Sequence, residues 1–224
     1  SKAGPTLMGG RIRLRRASVL EQLGRYKEAA DFYRSGLEEC LACQDPMAFQ
    51  GYLGLADLAA GRSELESAFS HLADARRLLQ CRQIAEPLYE CQLTLAYTHL
   101  WLRQGQHAKA ERALSQCLAL YTGRIPFGHP ELLPRLALQL ARAQMAAGQN
   151  VIALLDGLRL EAQTQGRWPL ACKLWLCLAQ SFDFNGHKSQ AGQALMEGLR
   201  LSRLLGLSSI ERTFNVQSQG LMMV

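Results

Sequence analysis

A chain of 224 residues, 48% hydrophobic and 20% charged, can bury one ordinary core or stack about five units of roughly forty residues, and this composition excludes disorder. No apolar run reaches the ~20 residues that cross a bilayer, so no membrane partner is expected. The net charge of +6 is too mild to define a nucleic-acid binder by itself.

In chain order, residues 1–9 read as a flexible lead-in without the pattern of a signal peptide. Helical periodicity then fills residues 10–206. Hairpins of two helices are expected over about 10–43, 47–82, 87–121, 131–165 and 168–205. Asp45-Pro46 breaks the first, a long loop (TGRIPFGHP, 122–130) precedes the fourth, and Gly166 and Gly206 stop the last two. Residues 207–224 form a capping segment or begin a further helix. About ten helices result, with no strand, because nothing alternates with period two for long enough.

The hairpins repeat. Gly24, Gly61, Gly105, Gly148 and Gly186 each separate two apolar helical segments. Five residues on come Ala29, Ala110, Ala153 and Ala191; after Gly61 the counterpart is Ala68, shifted by an apparent two-residue insertion. Seven residues before the glycines stand Ala17, Gly54, Thr98, Ala141 and Ala179. Twelve after them stand Gly36, Cys117, Leu160 and Gly198, with Ala75 as the shifted counterpart. Two antiparallel helices approach closely only where side chains are small, and glycine permits the tight turn between them. This is the pattern of the tetratricopeptide hairpin, with glycine spacings of 37 to 44 residues against an ordinary period of about 34. The expected fold is an all-α superhelical solenoid of about five such hairpins.

Catalytic chemistry finds no foothold. Gly9-Gly10 lacks the lysine and hydroxyl of a phosphate loop, the five histidines form no metal motif, and no serine lies in a nucleophile elbow. Seven cysteines, an odd number in an irregular frame, read as reduced thiols packed as small hydrophobes, and Cys40-x-x-Cys43 has no second pair to complete a metal set. The chain reads as a cytoplasmic protein, not an enzyme, with no metal and no cofactor of its own.

What remains is a binding surface. In a solenoid of helical hairpins the first helix of each lines the concave face. The positions thirteen, ten, six and three residues before each turn glycine point there. They give Arg11, Leu14, Ser18 and Glu21; then Gln92, Leu95, His99 and Leu102, with Arg103 adjoining; then Arg135, Leu138, Arg142 and Met145; then Lys173, Leu176, Gln180 and Asp183. The groove expected from these is His99, Arg103, Arg135, Leu138, Arg142, Met145, Lys173 and Gln180, whose cations can clamp carboxylates or phosphates. Residues 101–150 carry six Arg or Lys against two acids, whereas residues 51–100 carry four against six. Trp101, Trp168 and Trp175 read as packing residues, and Phe127 and His129 in the long loop as exposed contacts for a partner.

The stretch LEAQTQGRWPLACKLWLCLAQSFDFNGHKSQAGQALMEGLRLSRLLGLSSIERTF, residues 160–214, resembles the last repeats of the sensor region in MalT-like regulators, the large ATP-dependent transcription factors of the LuxR type. A helix closes on Ala162 to Arg167, and a hairpin turns on Gly186 with Ala191. Gly206, Arg212, Phe214 and Gly220 follow in the order of that family's closing motif, although Asn215-Val216 replaces its acidic residue and the gap after Gly206 is longer. The resemblance implies a sensor that controls the activation and oligomerisation of a transcription activator. A small-molecule inducer, or a regulatory protein or peptide, would occupy the groove, and self-association would follow. ATP would belong to an upstream domain and DNA to a downstream one, both outside these residues. The alternative is a tetratricopeptide-type adaptor that holds a peptide or partner protein outside transcription.

Overall fold

The computed structural model describes residues 7–82, 84, 86–121, 132–207 and 210–216; the expected loop at 122–130, with Phe127 and His129, lies outside them. All regular structure among the described residues is helical. The helices are α1 (Leu7–Gln22), α2 (Tyr26–Ala42), α3 (Ala48–Gly61), α4 (Leu65–Cys81), α5 (Pro87–Arg103), α6 (His107–Tyr121), α7 (Leu132–Ala146), α8 (Ile152–Thr164), α9 (Trp168–Phe184) and α10 (Lys188–Leu204). A short helix follows at 210–216. The fold is all-α and built from tetratricopeptide-like helical hairpins, and α1 begins within the expected lead-in.

The helices fall into two compact units, α1–α5 and α6–α10. In the first, α1 packs on α2, α2 on α3, α3 on α4 and α4 on α5, with α3 also touching α1 and α5. In the second, α6 packs on α7, α7 on α8 and α9, α8 on α9, and α9 on α10. Each helix touches only near neighbours in sequence, as in stacked repeats.

One turn closes most of these helices. The residue two beyond the helix has a positive φ, and the next N–H reaches back five residues to a carbonyl. The pairs are Arg25 to Leu20, Asp45 to Cys40, Glu64 to Ala59, Gln149 to Gln144, Arg167 to Ala162, His187 to Phe182 and Leu207 to Ser202. This Schellman arrangement satisfies carbonyls that the helix end would otherwise leave bare.

Two expected registers are corrected by the turns. In the second hairpin the left-handed residue is Ser63, at φ 64°, and Gly61 is the last residue of α3. Counted from Ser63, Ala68 and Ala75 fall in the ordinary columns without an insertion, and the small residue seven before the turn is Ala56, which is buried. The extra residues sit in the fourth hairpin instead. After Gly148 the chain takes Gln149 to Val151 before α8 begins; Val151 is its N-cap, and Asn150 just before it accepts the Ile152 N–H at 3.1 Å. Ala153 and Leu160 are therefore turned outward, and Leu155 and Ala162 occupy the buried columns.

Small columns receive large side chains. Tyr33 fills the space a methyl on Gly54 would take, and Phe214 from the short last helix does the same at Gly198. Both aromatic residues are buried. Leu207, Ile210 and Phe214 thus close the apolar surface of α9 and α10, whose core includes Leu174, Leu178, Ala194 and Leu195.

Candidate binding faces

In the first unit polar side chains join the first helices α3 and α5. Gln50 of α3 and Gln92 of α5 hydrogen-bond through their side-chain amides at 2.9 Å. They occupy equivalent positions once Ser63 marks the turn, thirteen residues before each turn residue. Asp57, exposed, falls six residues before Ser63, where Ser18 and His99 stand in the neighbouring repeats. Gln50 and Asp57 escape a reading that takes Gly61 as the turn; the five-residue offset from Ser63 to Ala68 is the signal that finds them.

The carboxylate of Glu21 accepts the Tyr33 hydroxyl at 2.8 Å. Burial holds the Glu21 carboxyl above its ordinary range; the charge of Asp57 adds to this, and the Tyr33 hydrogen bond opposes it. Burial raises the Tyr33 phenol as well, helped by Glu21 and Asp57. The first-helix face of this unit therefore carries an acidic pair, Glu21 and Asp57, that share each other's field.

Of the expected groove residues, His99 and Arg103 belong to this unit, and both are exposed. Arg103 donates to the Ala60 carbonyl and to Ser63 Oγ, so its guanidinium caps the end of α3. Arg11 forms a two-point pair with Asp45, at 2.6 and 3.1 Å, and Asp45 also accepts the Met47 N–H. That pair ties α1 to the turn before α3.

In the second unit cations stand on the first helices. Arg135 and Lys173 stand at equivalent positions of α7 and α9 and are exposed. Arg142 is half-buried and donates from Nε to Cys177 Sγ at 3.3 Å, joining α7 to α9. Gln180 and Met145 are half-buried, Met145 packs against the core, and Leu138 lies inside it. Five of the expected groove residues thus stand at least partly open on α7 and α9, and Leu138 packs behind them.

Two of the tryptophans, Trp101 and Trp175, pack as expected, and Trp168 does not. Trp101 stacks on Tyr97, with ring centres 5.4 Å apart. Trp175 lies beneath the Arg159 guanidinium at 4.4 Å. Trp168 opens α9 beside Pro169 and is exposed. Cys40 is buried, and its thiol is pushed up to about 11, chiefly by burial. Among the described residues no three His, Cys, Asp or Glu side chains gather as a metal site.

A cavity of about 860 Å³ opens between α8 and α10, with α9 as its floor. Ile152, Trp175, Leu178 and Phe182 line it, and Asp156 and Glu197 stand on its two helical walls.

No protein-family model matches the chain, and no curated protein matches it. Solved structures do. A kinesin-light-chain-type protein of Podosopora anserina with nearly identical tetratricopeptide-like repeats superposes with a TM-score of 0.59 at 18% identity, over 88% of this chain and 95% of that one. A thermophilic tetratricopeptide protein of Thermus thermophilus gives 0.63 at 17% identity, over 96% of this chain and 100% of that one. A Pyrococcus horikoshii signal-transduction ATPase with a tetratricopeptide-repeat sensor gives 0.67 at 14% identity, over 92% of this chain and 31% of that one. What the chain shares with these proteins is the tetratricopeptide-like helical-repeat fold.

Proposed function

We propose that this chain is a tetratricopeptide-type binding module that holds an acidic segment of a partner protein on the first-helix face of its second unit. The observation that carries this reading is the row Arg135, Arg142 and Lys173 on neighbouring helices α7 and α9, with the apolar edge of Met145 beside it. Arg135 is exposed and makes no ion pair within the described residues. A guanidinium in that state accepts a carboxylate without first giving up a partner. Helical repeats supply a fixed array of such side chains, which lowers the ordering cost of binding.

Calorimetry with peptides rich in Asp and Glu tests the proposal. Binding at low salt should weaken about tenfold or more in Arg135→Glu or Lys173→Glu, while Arg34→Glu, on α2 of the first unit, leaves it unchanged. Equal affinity in all variants would remove the row from the site.

A second reading is favoured by residues 160–214, whose pattern resembles the sensor repeats of MalT-like transcription regulators. Here the module would sense an inducer or a regulatory protein and control the regulator's oligomerisation, with ATP and DNA handled by other domains. The fold shared with the tetratricopeptide sensor of the Pyrococcus horikoshii ATPase supports the idea that such a module can serve as a sensor. Thermal unfolding against a panel of metabolites distinguishes the readings, because a ligand that binds only the folded state raises the melting temperature. A small-molecule shift lost in Arg142→Ala favours the sensor; stabilisation by acidic peptides alone favours the adaptor.

A further inference from the structure

Two surfaces outside the proposed site are complementary. The first is the open face of α1. Met8, Ile12, Val19 and Leu23 are 66%, 58%, 55% and 68% exposed, and the helical repeat places them with Arg15 along one side. Arg15 is exposed and has no ion pair within the described residues, unlike Arg11 and Arg13, which hold Asp45 and Glu39. The stripe is apolar with one open cation at its centre.

The second surface is the cavity between α8 and α10. It lies where the repeat is broken: the chain spends Gln149 to Val151 before α8 starts, and Asn150, Ile152 and Ala153 at that late start line the opening. Its floor is Trp175, Leu178 and Phe182. The titratable groups on its walls are the carboxylates Asp156 and Glu197, in a chain whose net charge is +6. Arg159 lies against Trp175 and bonds Asp156, and Arg200 bonds Glu197, each one turn along its own helix. The Glu197–Arg200 pair is half-exposed on both sides, and pairs of that kind hold their members weakly.

We infer that the α8–α10 cavity is the docking site for α1 of a second copy of this chain, with Ile12 and Val19 seated on Trp175 and Phe182 and Arg15 facing Glu197. The apolar stripe meets an apolar floor, and the open cation meets Glu197, whose exposed pair with Arg200 can exchange. The contact is heterologous: each copy offers a stripe at one place and a cavity at another, so copies add head to tail until a ring closes or a filament grows.

Sedimentation velocity on the full chain over a concentration series tests this, together with two variants checked for native circular dichroism. Ile12→Asp spoils the stripe, and the double variant Gln193→Arg, Glu197→Arg spoils the cavity wall at exposed positions of α10. The wild type should form species larger than a monomer, and each variant alone should raise the dissociation constant about thirtyfold or more. A mixture of the two should recover a one-to-one complex, since the first keeps its cavity and the second its stripe. A wild-type chain that stays monomeric at high concentration would overturn the inference. So would self-association unchanged in both variants, or a mixture that fails to pair, as expected if α1 met α1. None of these outcomes depends on the acidic-peptide experiment.

Discussion

Phe214 is fully buried although it follows the last long helix, because Gly198 leaves a socket its ring fills. Truncation to Ala would leave a void in the core of the second unit at a cost of about 3–5 kcal/mol. Gly198→Ala should also destabilise, since the added methyl overlaps the ring. Urea unfolding measures both. Asp45 is another residue whose surroundings decide its behaviour. The Arg11 hydrogen bonds hold its carboxyl below the usual carboxylate range, with the Met47 N–H contributing. A depressed folded-state value means that the stabilisation is present above the ordinary Asp range and is lost as pH falls through the folded-state value. Stability measured downward from pH 5 should therefore decline less steeply in Asp45→Asn than in the wild type, and a parallel decline would remove the pair from the acid response. Nothing in sequence periodicity points to this contact, because it joins a helix to a turn 34 residues away.

At the scale of the helix, the turn conformation governs the repeat, and residue type is its imperfect marker. Ser63 adopts φ 64°, a region in which a side chain costs roughly 1–2 kcal/mol. Ser63→Gly should raise the melting temperature, offset in part by the greater freedom of glycine when unfolded. Asn150→Ala should weaken the start of α8 by about 0.5–1.5 kcal/mol, the net worth of one hydrogen bond, and increase exchange of the Ile152 amide. The small-residue columns made the hairpins legible in the sequence: Ala17, Ala29, Ala110, Cys117, Ala141, Ala179 and Ala191 are all buried where expected. The register of the second and fourth hairpins was not legible. Gly61 lies only two residues from the true turn, and the extra residues before α8 are absorbed by a local asparagine turn that no spacing rule encodes.

For the molecule as a whole, the first-helix positions carry Glu21 and Asp57 in one unit and Arg135, Arg142 and Lys173 in the other. Association of an acidic ligand with the second unit should accelerate at low salt and slow as salt screens the row, while variants of Glu21 or Asp57 leave that dependence intact; stopped-flow measurement against ionic strength checks it. The sequence showed the row of cations because helix phase fixes it, but not the roles of its neighbours. Arg103 is spent on a helix end and Leu138 on the core, contacts that only the packed helices reveal. The turn that closes both the first and the second helices of the hairpins carries a further consequence. Since the same backbone corner serves in either place and draws its hydrogen bond from the helix it ends, the hairpins α1–α2, α7–α8 and α9–α10 are cassettes. Whole hairpins can be gained, lost or exchanged between such chains without redesigning the junctions, so the length of the array is free to change in steps while its local geometry stays the same.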